Sequence, residues 1–121
     1  MSNQSNSTTR PYQVSSESFY VKIGDTYRKI KLNEVPYFYK HEKLTYIQFE
    51  QRAYPVYTTL KELEEQLYHQ GFARVHRTYL VNLHLVNSVS LSNNHIIVKG
   101  LQIPIGQTYR THALSRLNIL R

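Results

Sequence analysis

The feature that most constrains the fold of this chain is a succession of short runs rich in Tyr, Ile, Val and Phe, separated by turn-forming residues. Five such runs occupy the first half of the sequence, at 19–23, 27–32, 35–39, 44–49 and 53–57. Gly24-Asp25 and His41-Glu42-Lys43 supply turns between neighbouring runs. Because β-branched and aromatic side chains suit a pleated, half-buried surface, this pattern predicts a mainly β protein.

The second half continues in the same way. Residues 72–83 and 85–91 are expected to be extended, with a turn at 92–95 leading into a strand at 96–99. A turn at Gly100 leads into 101–105, where Pro104 fits a sheet edge or the end of a strand. Leu114, Leu117 and Leu120 recur at a spacing that predicts a short C-terminal helix.

One longer helix is clearly predicted between the two halves. Thr59-Leu-Lys-Glu62 has the pattern of a capping box, in which the Thr hydroxyl and the Glu carboxylate each bind the other residue's backbone amide. Three leucines then recur at helical spacing, and Gly71 can end the helix in a left-handed conformation. The acids of its first turns, which need no catalytic role, favour the positive end of the helix; they are Glu62, Glu64 and Glu65.

Length and composition restrict the organisation and the class of protein. A chain of 121 residues suits one domain, which we place at residues 19–121, after a flexible polar tail at residues 1–18. No apolar run is long enough for a membrane span or a signal peptide, so a cytoplasmic location is expected. The chain has no cysteine, which excludes disulfides, thiolate metal sites and cysteine nucleophiles.

The distribution of charge favours a polyanionic partner. The chain carries a net charge of +7, and no acidic residue follows Glu65. The second half nevertheless holds six Lys or Arg residues and five of the six histidines. Soluble proteins usually carry both acidic and basic residues over their whole surface. The absence of acidic residues from half of a domain therefore points to nucleic-acid phosphates as the first partner to test.

The stretch Phe72-Ala-Arg-Val-His-Arg-Thr-Tyr-Leu-Val-Asn82, followed by Ile103-Pro-Ile-Gly-Gln-Thr-Tyr109, resembles the LytTR DNA-binding domain. The resemblance covers about residues 19–120 and implies an elongated fold of about ten mostly antiparallel strands in small sheets, with one packed helix and a short C-terminal helix. The family is usually the output module of bacterial response regulators. It binds repeated promoter sites, probing the major groove with loops and bending the duplex.

The resemblance points to three contact segments. The predicted base contacts are Arg77, His41, Gln107 and Thr108, and the predicted phosphate contacts are Lys40, Lys43, Arg74, His76 and Arg110. Side-chain chemistry supports the assignment of Arg77 and Gln107 to bases and of the lysines to phosphates. An Arg can donate to guanine O6 and N7 together, a Gln can pair with adenine, and Lys suits a phosphate.

Each of these residues also has a purely structural interpretation. Arg77 can solvate a strand end, and His41 can be an ordinary turn residue. In a regular strand, His76 would point away from Arg77 and pack against the loop. Asn82 is expected to hold the following turn through its amide. The segment Tyr79-Leu-Val81 is most simply explained by packing.

The sequence departs from the family pattern in two positions, Thr78 and Gln107, where the family more often has Ser and a basic or small residue. No receiver precedes the domain, since eighteen polar residues cannot fold one, so we expect a stand-alone regulator or a piece of a longer chain. We expect double-stranded DNA as the partner, two copies per repeated site, and a sensor or the transcription machinery as a further partner. No cofactor and no membrane contact are expected.

Catalysis and the binding of RNA or protein are the two alternatives to DNA binding. The histidines lack metal-ligand spacing, and no nucleophile elbow or phosphate-binding Gly loop occurs, so we expect neither catalytic nor metal-binding residues. An RNA- or protein-binding β module remains the alternative, because Tyr37, Tyr39 and Tyr46 can stack on bases if they are exposed on one sheet face. Competition between duplex, single strands and RNA discriminates between these functions.

Overall fold

The computed structural model describes residues 18–120. They form ten strands in three antiparallel sheets and two α-helices, joined by turns and short 3-10 helices. This confirms the predicted fold class. The strands are β1 (Ser18–Ile23), β2 (Thr26–Lys31), β3 (Tyr37–His41), β4 (Leu44–Phe49), β5 (Arg52–Val56), β6 (Phe72–His76), β7 (Tyr79–Asn82), β8 (Val86–Ser90), β9 (His95–Val98) and β10 (Leu101–Pro104); the helices are α1 (Leu60–Leu67) and α2 (Arg110–Arg116).

The central sheet has five strands in the order β5-β4-β3-β7-β6. A two-stranded hairpin of β1 and β2 and a three-stranded sheet in the order β10-β9-β8 flank it. The pairing of β3 with β7 joins strands that are far apart in the sequence, in the register Tyr37↔Val81, Phe38↔Leu80 and Tyr39↔Tyr79. This pairing determines which turns lie at the same end of the sheet.

Two apolar cores cover the two faces of the central sheet. Phe38, Ile47 and Leu80 face the β1–β2 hairpin and α1, where Leu60 and Leu63 are buried. On the other side Val75 and Val81 pack with residues of β9, β10 and α2. Leu80 and Val81, which are neighbours on β7, therefore belong to different cores, and a slip of one residue in register would exchange them.

Helix α1 begins at the predicted capping box. The Thr59 hydroxyl accepts from the Glu62 amide at 3.1 Å, and a Glu62 carboxylate oxygen accepts from the Thr59 amide at 3.1 Å. The same backbone hydrogen bond, with those from the Thr58 and Thr59 hydroxyls, holds the pKa of Glu62 below its usual range. After a 3-10 turn at Tyr68–Gln70, Gly71 ends the segment with φ +91°, a conformation that favours glycine.

Several boundaries differ from the sequence prediction. The segment 72–83 is a hairpin, since the chain reverses at Arg77 and Thr78, and the next strand begins only at Val86 after a 3-10 turn. Helix α2 ends at Arg116, and Leu120 is 95% exposed, so the predicted leucine spacing did not mark its end.

The predicted tail lies outside the described residues, except for Ser18, which is the first residue of β1. Between residues 18 and 120, no helix has the length and apolar character needed to cross a bilayer.

Candidate nucleic-acid interface

Two of the three predicted contact segments meet at one end of the central sheet. Glu42 and Lys43 form the β3–β4 turn, and Arg77 and Thr78 form the β6–β7 turn. Because β3 pairs with β7, the Lys40 amide donates to the Thr78 carbonyl at 3.0 Å. The strand order β4-β3-β7-β6 separates the centres of the two turns by two strand spacings, about 10 Å.

The third segment lies against the β6–β7 turn. The Gly106 amide donates to the Val75 carbonyl at 2.7 Å, and the Tyr109 amide donates to the Gly106 carbonyl at 3.0 Å. Gly106–Tyr109 lines an open groove of about 320 Å³ together with His76 and Arg77. Backbone hydrogen bonds, rather than side chains alone, thus bring the three segments together.

Six of the predicted contact residues project from this end with exposed side chains: Lys40, His41, Lys43, Arg77, Gln107 and Thr108. We call these six the contact cluster. Within residues 18–120, the Arg77 guanidinium has no hydrogen-bond or ion-pair partner, so its donors are available to a ligand. The residues of the two turns include one acid, Glu42, whose carboxylate lies 3.8 Å from His41 Nε2.

The Arg74 guanidinium binds other groups of the protein. Its guanidinium donates to the His76 carbonyl at 3.0 Å and to the Arg77 carbonyl at 2.5 Å, and it lies 3.3 Å from the Glu64 carboxylate. It also lies over the Tyr109 ring, 5.5 Å from the ring centroid. Its side chain is only 13% exposed. The Arg74 side chain, which was predicted to contact phosphates, is thus bonded to acceptors inside the protein.

Arg110 is also bonded internally. Its Nε donates to Asn94 Oδ1 at 2.6 Å, and its Nη2 donates to the Leu91 carbonyl at 3.1 Å. These bonds connect the start of α2 to the turn between β8 and β9. Arg110 therefore does not join the contact cluster.

The His76 side chain is half-buried, and its Nδ1 faces the β6–β7 turn. Its Nδ1 accepts from the Thr78 amide at 3.2 Å and lies 3.0 Å from the Thr78 hydroxyl. The pairing of β6 with β7 shifts between Arg74 and His76, so the strand is irregular where the sequence argument assumed regular alternation. Burial, and then the charges of Arg77 and Arg74, lower the pKa of His76. With Nδ1 as an acceptor, the neutral ring carries its proton on Nε2.

This environment predicts a pH dependence of stability. Because the folded protein binds the His76 proton less tightly than the unfolded chain, the stabilisation is complete above the unfolded-state pKa of about 6.5 and is lost as the pH falls through the folded-state pKa. In denaturant titrations between pH 7.5 and 5, His76→Asn, which keeps an acceptor near Nδ1, should therefore lose less stability than wild type. The exposed His41→Asn is the matched control. An equal pH dependence in His76→Asn and wild type would contradict the assignment.

The tyrosines predicted as alternative stacking residues are packed against each other. The rings of Tyr39 and Tyr46 stack with centroids 5.2 Å apart, and Tyr37 and Tyr79 complete a contiguous cluster. Burial, and then neighbouring phenols, raise the pKa values of Tyr37 and Tyr39. Tyr37, Tyr39 and Tyr46 are each half-buried, and their rings contact one another instead of standing free on the sheet face.

Sequence reasoning assigned no role in binding to two residues that contact Arg74. Glu64 was explained by the positive end of α1, and Tyr109 was only part of the family signature. Their contact with Arg74 depends on how α1 and the segment after β10 pack against β6. No local spacing marks these contacts, since Glu64 and Arg74 are ten residues apart in different elements.

The three small antiparallel sheets with one packed helix and a basic end have the architecture expected of a LytTR domain. The family model of the LytTr DNA-binding domain matches residues 25–118, and this chain belongs to that family. The family binds DNA in transcription regulation and is not a family of enzymes.

A solved relative has the same fold. It is the LytTr DNA-binding domain of a Bacillus cereus protein described as a methyl-accepting/DNA response regulator. The two chains superpose with a TM-score of 0.73 at 21% sequence identity, over 85% of this chain and 98% of that one. A search of curated proteins found no match.

Proposed function

We propose that this LytTR domain binds double-stranded DNA at specific sequences through the contact cluster. The convergence of three segments at one end of the central sheet carries this proposal. Two turns with centres about 10 Å apart are compatible with entry into a single B-DNA major groove, which is about 12 Å wide. The proposal rests on the family, on this spacing and on the positive charge of the cluster.

Different members of the contact cluster have different roles. Arg77 donates to guanine O6 and N7, and Gln107 contacts an adenine edge. His41 and Thr108 contact further base edges, while Lys40 and Lys43 neutralise phosphates on either side of the groove. The base contacts provide specificity, and the phosphate contacts provide most of the affinity.

Three residues that the sequence assigned to phosphates receive revised roles. Arg74 and Arg110 stabilise the arrangement of the segments instead of contacting DNA. Burial and the charges of Arg77 and Arg74 lower the pKa of His76, so His76 is a weaker source of positive charge for a phosphate than Lys40 or Lys43. We further propose that two copies of the domain occupy a repeated promoter site, and that a sensor or the transcription machinery contacts the bound protein.

Selection from random duplexes tests this proposal. We expect the protein to enrich a recurring motif, and we expect the selected duplex to displace a bound probe better than its single strands or the matching RNA at about 0.15 M salt. The affinity should fall with salt at a slope of about 0.9 per neutralised phosphate.

Two results would contradict the proposal. The first is the absence of any enriched motif after repeated selection. The second is stronger competition by RNA or single strands, which would favour the alternative of an RNA-binding module. Titration of the selected duplex to saturation measures how many copies bind it, and a single copy on a repeated site would overturn the proposed stoichiometry.

A further inference from the structure

We propose that Glu64, an acidic residue on α1, sets the base specificity of the domain by holding Arg74 and thereby positioning Arg77. The inference rests on the proposed function of Arg77. Neither Glu64 nor Arg74 touches DNA in this proposal, so both are positioning residues.

Arg74 joins three parts of the protein. Its Nη1 lies 3.3 Å from the Glu64 carboxylate on α1, while Nε and Nη2 donate to the carbonyls of His76 and Arg77. The face of its guanidinium covers the Tyr109 ring beside Gln107 and Thr108. One side chain therefore links α1, the β6–β7 turn and the third contact segment. We call Glu64, Arg74, Tyr109 and the two carbonyls the Arg74 network.

The β6–β7 turn depends on the Arg74 network because the residues of the turn do not themselves favour one turn geometry. Arg77 and Thr78 include no Gly, Pro, Asn or Asp, the residues that usually fix the geometry of a turn. The Arg77 carbonyl is held by Arg74, and the Thr78 amide is held by His76. Fixing the backbone of Arg77 reduces the freedom that its side chain must lose when it contacts a base.

Glu64 is needed because the Arg74 guanidinium is largely withdrawn from water. The side chains of Arg74 and Glu64 are 13% and 30% exposed, respectively. A guanidinium in this environment requires a charged partner as well as carbonyl acceptors. Without the carboxylate, Arg74 gains by turning toward solvent or a DNA phosphate, and it then releases the Arg77 carbonyl.

The expected sign of the effect is opposite to that of simple electrostatics. Removing an acid from a chain of net charge +7 should strengthen binding to any DNA. In our proposal, Glu64→Ala instead weakens binding to the selected duplex, while binding to random DNA is unchanged or stronger. The ratio of the two affinities therefore isolates the positioning effect from the change in charge.

Glu65→Ala is the matched control, because Glu65 lies next to Glu64 on α1, is exposed, and has no hydrogen-bond or ion-pair partner between residues 18 and 120. Both variants lose one negative charge at a helical position. We expect Glu64→Ala to lower the specific-to-random affinity ratio about tenfold, within the range that one bidentate base contact contributes. Glu65→Ala should leave the ratio unchanged while raising both affinities slightly.

A double-mutant cycle distinguishes positioning from a general structural defect. In an Arg77→Ala background, Glu64→Ala should not lower the affinity ratio further, because the side chain that it positions is absent. A structural defect elsewhere would lower the ratio again. Arg74→Lys provides a second variant that keeps the charge but cannot serve the three acceptors together, and it should lose the same specificity. Its salt slope should equal that of wild type, since Arg74 neutralises no phosphate.

The outcomes separate this inference from the proposed function. If wild type selects a motif but Glu64→Ala and Arg74→Lys both keep the wild-type ratio, Glu64 and Arg74 do not position Arg77. Additive losses in the Arg77→Ala background would overturn the inference in the same way. If wild type selects no motif, the proposed function itself fails. Circular dichroism establishes that each variant is folded, and an unfolded Glu64→Ala is replaced by Glu64→Gln in the same comparison.

Discussion

Arg77→Ala should weaken binding to the selected duplex by about 1–3 kcal/mol, because one Arg that donates to guanine O6 and N7 contributes about this much discrimination. Its effect on random DNA should be much smaller. Arg77 is the arginine of the contact cluster; its guanidinium is exposed and has no partner among residues 18–120, and it lies in a turn that the protein holds from both sides. Affinities for the selected duplex, measured by fluorescence anisotropy at fixed salt, provide the test.

Two comparisons show whether the effect of Arg77→Ala is specific. Lys43→Ala should weaken binding to both DNAs alike and lower the salt slope, since a phosphate contact carries no base information. Arg52→Ala removes an exposed arginine at the opposite end of the sheet, where Arg52 pairs with Phe49, and should change neither affinity by much. Equal losses for Arg77→Ala on both DNAs would remove Arg77 from base recognition.

Asn82→Ala should lower the free energy of unfolding by about 2–4 kcal/mol, because it removes a buried side-chain amide together with its three hydrogen bonds to backbone groups. Asn82 is 2% exposed, and its Nδ2 donates to the carbonyls of Leu32 and Val35 at 3.3 and 3.1 Å. Its Oδ1 accepts from the His84 amide at 3.0 Å. One amide thus joins two segments that are about fifty residues apart in the sequence.

Asn87→Ala is the control for this prediction. Asn87 Oδ1 also accepts a backbone hydrogen bond, from the Lys99 amide at 3.2 Å, but the bond is exposed to solvent. Water can replace it, so the loss should stay near 0.5 kcal/mol or less. Urea denaturation measures both variants, and similar small losses would show that the buried contacts of Asn82 do not carry the stability assigned to them.

The elements that depend on local chemistry were predictable from the sequence. The capping box of α1, the left-handed Gly71 and the turn at Gly24-Asp25 were all predicted correctly, because each is determined by neighbouring residues. The role of Asn82 in the next turn was also predicted, and its hydrogen bond to the His84 amide confirms it. Its bonds to Leu32 and Val35 could not be predicted, since they span about fifty residues.

Features that depend on long-range packing were missed. The reversal at Arg77 and Thr78 has no turn-forming residue, so the sequence predicted one extended segment where the structure has a hairpin. Pairing of β3 with β7 is likewise invisible in any local window, although it determines which turns meet. The same limit applies to the internal partner of Arg74: the resemblance predicts a phosphate contact for this residue, and no local window of the sequence shows that α1 places Glu64 beside it.

The most direct test of the central claim is an amide NMR titration of the isotope-labelled protein with the selected duplex. We predict shift changes concentrated at residues 40–43, 77–78 and 106–108, with the β1–β2 hairpin and the β4–β5 turn unaffected. Shift changes that spread over the hairpin, or that are confined to only one of the three segments, would contradict the convergence of those segments on one DNA groove.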